Sequence, residues 1–249
     1  MKHCIFVLIL FLLLFHTSSV AQKRELLFMG SAMLNGKPIP MRFGISSRLP
    51  GGCFVGTNKR GVPSVSPSVS GRIVIPDSVT VPHDLVIDGR VIITSGTVLP
   101  VVCVSRRAFA GCRQLTDIIL PPTLVYINDQ AFRDCQSLTS ITLPPLLKRI
   151  YPFAFSGCQR LTRVVAQSPF PPDAYNDIFE SMTLRQATLV VPGQAAKTYR
   201  TAYLWNMFRY RFEDVYQSNK LQKGEEKGNK VNPKTNSLCK SGVIHFRPI

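Results

Sequence analysis

Apolar and polar positions recur along the middle of the chain with a fixed period. The stretch AFAGCRQLTDIILPPTLVYINDQ from Ala108 is followed by AFRDCQSLTSITLPPLLKRIYPF from Ala131 and AFSGCQRLTRVVAQSPFPP from Ala154, a repeat of 23 residues. Superposing the units puts like on like: Phe109, Phe132, Phe155; Cys112, Cys135, Cys158; Leu115, Leu138, Leu161; and Ile118, Ile141, Val164. Ile127 and Ile150 match over two units. A period of this length marks a solenoid, because each unit is too small to bury its own apolar side and stacked units share one core.

Within a unit, Leu138-Thr-Ser-Ile141-Thr-Leu143 has the L-x-x-L-x-L spacing of a leucine-rich repeat. A strand alternates its faces, so Leu138, Ile141 and Leu143 are expected inward and Thr139, Ser140 and Thr142 outward. Pro144-Pro145 ends the strand, since proline cannot donate to a ladder. A second apolar piece, Val125-Tyr126-Ile127, precedes what reads as a brief helical turn through Ala131, Phe132 and Cys135. Upstream, Gly71 to Val79 reads as a degenerate first unit, stretched by an insertion before Arg106. Met41 to Ile45 and Cys53 to Thr57 read as short strands between Gly, Pro and Ser clusters.

Downstream, Ala187 to Gly193 reads as a last strand with a stop, and Gln194 to Phe208 as a helix whose apolar face is Ala196, Tyr199, Tyr203 and Met207. Phe212 to Val215 is expected to close the edge. The fold class is therefore an α/β solenoid: a right-handed leucine-rich-repeat array of 23-residue units with a β-rich N-terminal cap over 22–70 and a strand-helix C-terminal cap, the array and that cap spanning 71–215. Residues 216–249 turn to Lys, Asn, Gly, Glu and Ser and read as a disordered basic tail. At the other end, a basic start, the 11 apolar residues Ile5 to Phe15 and the small residues Ser19-Val20-Ala21 read as a signal peptide over 1–21. No other stretch is long and apolar enough for a transmembrane segment.

The Ala-Phe-x-x-Cys-x-x-Leu-Thr-x-Ile-x-Leu-Pro pattern closely resembles BspA-like leucine-rich repeats. The stretch from Pro171 through VVPGQAAKTYRTAYLWNMF resembles the unit that ends many such arrays, so the resemblance covers about residues 70 to 215. It implies an exported, secreted or cell-surface bacterial protein of Bacteroidetes-like type that binds a partner, several family members being adhesins for host matrix proteins.

Charge and chemistry change this picture little. The chain has 30 basic against 14 acidic residues, a formal net charge of +16, which favours anionic partners. The charge is spread along the sequence and export makes nucleic acid a poor partner. Cys112, Cys135 and Cys158 could suggest zinc, but a 23-residue spacing sets them in single file, roughly 5 Å apart, whereas zinc needs four converging ligands. They read as buried thiols and no metal or other cofactor is expected. For Cys53 and Cys103, a bridge and free buried thiols both stand open, and Cys239 falls in the tail. Beyond the signal segment the only histidines are His83, in a loop, and His245; no nucleophile motif accompanies them, and an enzyme is not expected.

The candidate binding residues are the outward strand positions: Thr116, Asp117 and Ile119; Thr139, Ser140 and Thr142; Thr162, Arg163 and Val165. Their threonine ladder has a blander reading, a column bonded to itself that favours strand. The partner expected is a host or neighbouring-cell surface protein or glycan, bound by a monomer. The alternative is an envelope-associated structural spacer held by its basic surface to anionic polysaccharide or lipopolysaccharide.

Overall fold

The computed structural model describes residues 25–46, 51–57, 63–175 and 177–208, and the backbone of 210–214. The expected signal peptide and tail, with Cys239 and His245, lie outside these residues.

In chain order the strands are β1 (Glu25–Leu34), β2 (Lys37–Ser46), β3 (Cys53–Val55), β4 (Ser70–Val74), β5 (Ser78–Thr80), β6 (Leu85–Ile87), β7 (Arg90–Ile93) and β8 (Val98–Val104). Then come β9 (Gln114–Ile119), β10 (Tyr126–Ile127), β11 (Ser140–Leu143), β12 (Arg149–Ile150), β13 (Arg163–Ala166) and β14 (Asp173–Ala174). The C-terminal part holds α1 (Ser181–Gln186), β15 (Thr188–Val191), α2 (Ala196–Thr201) and β16 (Tyr210–Asp214).

Each repeat contributes one strand to each of two parallel ribbons. The L-x-x-I-x-L strands form the first, in which β11, β13, β15 and β16 pair in that order and β4 pairs β9. The short second strands form the other, running β3, β8, β10, β12, β14. Between the ribbons lies the core, in which Leu138, Ile141 and Leu143 are buried as the alternation requires, and Phe109, Phe132 and Phe155 are 0% exposed. Their rings stack at 5.4 and 5.2 Å between centroids, and Phe179 adds a fourth at 5.3 Å. Offset aromatic contacts of this kind add to the area they bury.

In the three 23-residue units the corner after the second strand, or before Phe109 after β8, is where a helical turn is expected, and none forms there. Arg107, Gln130 and Phe153 sit at φ 55°, 55° and 57°, and Gly111, Asp134 and Gly157 at 79°, 59° and 78°. Two left-handed residues four apart interrupt any helix. The amides turn to the next coil instead: Phe109 N donates to the Ala131 carbonyl at 2.8 Å, Phe132 N to Ala154 at 2.8 Å and Phe155 N to Ile178 at 2.9 Å. The corners are thus a third ladder, and the three 23-residue units are strand and turn, the first helix being α1 in the coil after them.

At the N-terminal end, β1 and β2 form a ten-pair antiparallel hairpin around Asn35-Gly36. These residues have φ 50° and 79°, the left-handed pair that a two-residue hairpin turn demands. β1 pairs with β4 and β2 with β3, so the hairpin joins the second ribbon and the β4–β9 part of the first into one continuous sheet. The insertion is structured too: β5 pairs with β8, and β6 with β7 around Asp88-Gly89.

The C-terminal segment departs from the single amphipathic helix expected over 194–208. Only Ala196–Thr201 is α-helical, Leu204 takes φ 68°, and Trp205–Met207 is a separate 3-10 turn. Tyr203 and Met207 are exposed, while Leu204, Trp205 and Phe208 are buried. The break at Leu204 swings Trp205 onto the end of the phenylalanine stack, which a continuous helix could not do.

Candidate functional site

The first ribbon carries the expected binding residues, and its register decides which of them are neighbours. Ser140 pairs with Arg163 and Arg163 with Thr188; Thr142 pairs with Val165 and Val165 with Val190. Side chains of successive coils therefore form two lines about one strand spacing, roughly 4.8 Å, apart at each step. Thr142 and Thr162 are exposed, Ser140, Arg163 and Val165 half-buried, and Val190 only 1% exposed.

Asp117 does not continue that line into β11. It pairs with Arg72 on β4, and the Arg72 guanidinium lies 3.2 Å from its carboxylate. Between β9 and β11 the contact thins to Ser137 N on the Arg113 carbonyl at 3.1 Å and Thr139 N on the Thr116 carbonyl at 3.4 Å. The ribbon is accordingly two sheets meeting at this joint. The Asp117 charge at that end of the ribbon is matched by Arg72. Ile119 stays outward, 37% exposed.

The threonine column is bonded largely through the backbone. Thr162 N donates to the Thr139 carbonyl at 2.9 Å and Thr188 N to the Thr162 carbonyl at 2.8 Å. Thr162 Oγ1 reaches the same Thr139 carbonyl at 3.4 Å. The hydroxyl of Thr162 thus serves the sheet, whereas Thr116, Thr139 and Thr142 remain exposed.

The cysteines turn their thiols to backbone. Cys135 Sγ donates to the Phe109 carbonyl and Cys158 Sγ to the Phe132 carbonyl, each at 3.2 Å. Each thiol so ties one coil to the one before it. Burial pushes the Cys112 thiol up to about 11, and the hydrogen bond with Cys158, then burial, raises that of Cys135. Such groups stay protonated at neutral pH, a poor state for binding metal. Cys53 and Cys103 are free, buried and aimed at separate carbonyls, those of Leu99 and Val104; burial pushes Cys53 up to about 12 and raises Cys103. His83 lies exposed in its loop with Nδ1 beside the Asp84 carbonyl. No described helix is long and apolar enough to cross a membrane.

The family described as BspA type Leucine rich repeat region matches residues 99–199 in six copies. Among solved structures, a leucine-rich repeat protein of T. pallidum, TpLRR, is similar at 18% identity over 75% of this chain and 94% of that one, with a TM-score of 0.40. A leucine-rich repeat protein from Bacteroides capillosus is similar at 23% identity over 51% of this chain and 93% of that one, with a TM-score of 0.32. No curated protein matches the chain.

Proposed function

Residues 99–199 being a BspA-type leucine-rich repeat region, a kind of array suited to protein interaction, we propose that this chain is a non-enzymatic, exported, adhesin-like binding protein that holds a surface protein or glycan against its first ribbon. In this reading the array is a right-handed solenoid of 23-residue units between its two caps, delivered to the cell surface or medium through the segment 1–21. The observation that carries it is the register: Ser140, Arg163 and Thr188 in one line, with Thr142 and Val165 in the next, place side chains of neighbouring coils side by side. A rigid sheet that aligns hydroxyls, a guanidinium and small apolar groups loses little entropy on binding.

The test is a binding screen of the full chain against matrix proteins and glycans, followed by Thr142→Glu with Arg163→Glu. Surface changes of this type alter stability by no more than about 0.5 kcal/mol. Lost binding with an unchanged melt is the expected result. Binding that survives the pair places the partner elsewhere. Binding to anionic polysaccharide alone that fades with salt in both proteins favours the spacer reading, since exposed charge is screened within about 10 Å at 0.1 M.

A further inference from the structure

The second ribbon carries a cluster that the repeat does not require. β12 and β14 place Arg149 beside Asp173, and Arg149 Nη2 donates to Asp173 Oδ2 at 3.0 Å. Two residues further on, Tyr151 stacks on Tyr175 with 6.1 Å between centroids and an interplanar angle of 26°. Phe153 follows, 44% exposed at φ 57°, and its amide donates to the Asp177 carbonyl at 3.2 Å. Tyr175 is 47% exposed.

Equivalent positions in neighbouring coils show what the fold itself needs. The left-handed corner position held by Phe153 is filled by Arg107 and Gln130 in the preceding coils, at nearly the same φ and with Arg107 Nε donating to Gln130 Oε1 at 2.7 Å. The tyrosine position corresponds to Asn128 one coil earlier. Polar residues satisfy the same backbone, so two aromatics left open to water are not a demand of the repeat. An ion pair as exposed as Arg149–Asp173 adds little stability.

We propose that this surface is a second binding site, separate from the first ribbon, and that its ligand is a neutral, hydroxyl-rich glycan. The aromatic rings offer apolar surface to the C–H face of a sugar, and the guanidinium and carboxylate offer donors and acceptors to ring hydroxyls. Arg149 and Asp173 cancel in charge, which matches a neutral chain better than an anionic one. Successive coils repeat at roughly the strand spacing of 4.8 Å, so an extended polymer can run along the ribbon.

The test is affinity electrophoresis of the full chain through native gels containing a neutral β-glucan, a neutral α-glucan or heparin, at low and high salt. Retardation by at least one neutral glucan that persists in high salt is expected. Phe153→Asn with Tyr175→Ala should weaken it about tenfold, as should Arg149→Gln with Asp173→Asn. Asparagine accepts positive φ, so the first pair keeps its melt and remains informative. Thr142→Glu with Arg163→Glu should leave the retardation intact. No retardation by either neutral glucan, retardation by heparin alone, or equal retardation of wild type and both second-ribbon pairs would overturn the proposal.

Discussion

The two ends of the described array are built by different means. At the N-terminal end the seal is backbone: β1 and β2 bond to each other over ten pairs and to one ribbon each, with Phe28 and Phe43 stacked at 6.0 Å beneath. At the C-terminal end β16 extends the first ribbon and side chains cover the core: Trp205 and Phe208 meet the last stacked ring, Phe179, edge-on at 78°, and Tyr199 meets Trp205 at 82°. Their polar tips satisfy a loop that no strand reaches, Tyr199 Oη donating to the Ser168 and Phe170 carbonyls and Trp205 Nε1 to the Pro172 carbonyl. A face-to-face stack can grow without limit; an edge-on ring ends it. A stack can therefore be stopped either by turning its sheet back on itself or by turning its rings.

The largest effect should come from the interior that both ends protect. Phe132→Ala empties a 0% exposed position between two rings and should cost roughly 3 to 5 kcal/mol, with the whole array melting earlier in calorimetry. Trp205→Ala should sit near the lower end, about 3 kcal/mol, because a terminal coil can collapse or fray. Hydrogen exchange should then quicken beyond Pro172 while β1 and β2 keep their protection. Global quickening would merge the two ends into one cooperative unit.

Gly44→Ala probes the backbone seal. A Cβ there would run into the buried ring of Phe54 and the side chain of Leu27, and overpacking should cost about 1 to 3 kcal/mol. A neutral result would mean that the hairpin yields easily and that its seal is looser than its pairing suggests.

A smaller effect follows from the thiols. Cys112 and Cys53 have folded values of about 11 and about 12 against 9.0 unperturbed, so an unfolded chain ionises first. Their contribution is fully present below pH 9 and is lost as pH rises through 9 to 12. Thermal melts should fall across that window, and Cys112→Ala should flatten the fall. The smallest change expected is Arg72→Gln, whose exposed pair with Asp117 should be worth about 0.2 to 1 kcal/mol in chemical denaturation.

The ladders of Phe, Cys, Leu and Ile were legible because inward positions repeat one residue type in every coil. The corners were not. An αL residue can be Gly, Asp, Arg, Gln or Phe, and only Gly111 and Gly157 carry a compositional hint. Asn35-Gly36 was a sufficient hairpin signal for β1, which alternation alone left hidden because Leu26 and Leu27 adjoin Phe28. Phe179, at 24 rather than 23 residues from Phe155, lost its place through a one-residue insertion. In the candidate surface, strand positions were readable but their charge partners were not, since the Arg72–Asp117 pairing depends on a register across a long insertion.

Side-chain footprinting by hydroxyl radicals, with and without a partner captured in the screen, tests the binding claim most directly. Ile119 and Val165 both face outward on the first ribbon and report on it independently of charge. The account predicts that both become protected while Leu146 and Met182, exposed elsewhere, do not. Unchanged labelling of Ile119 and Val165 in the bound state would contradict it.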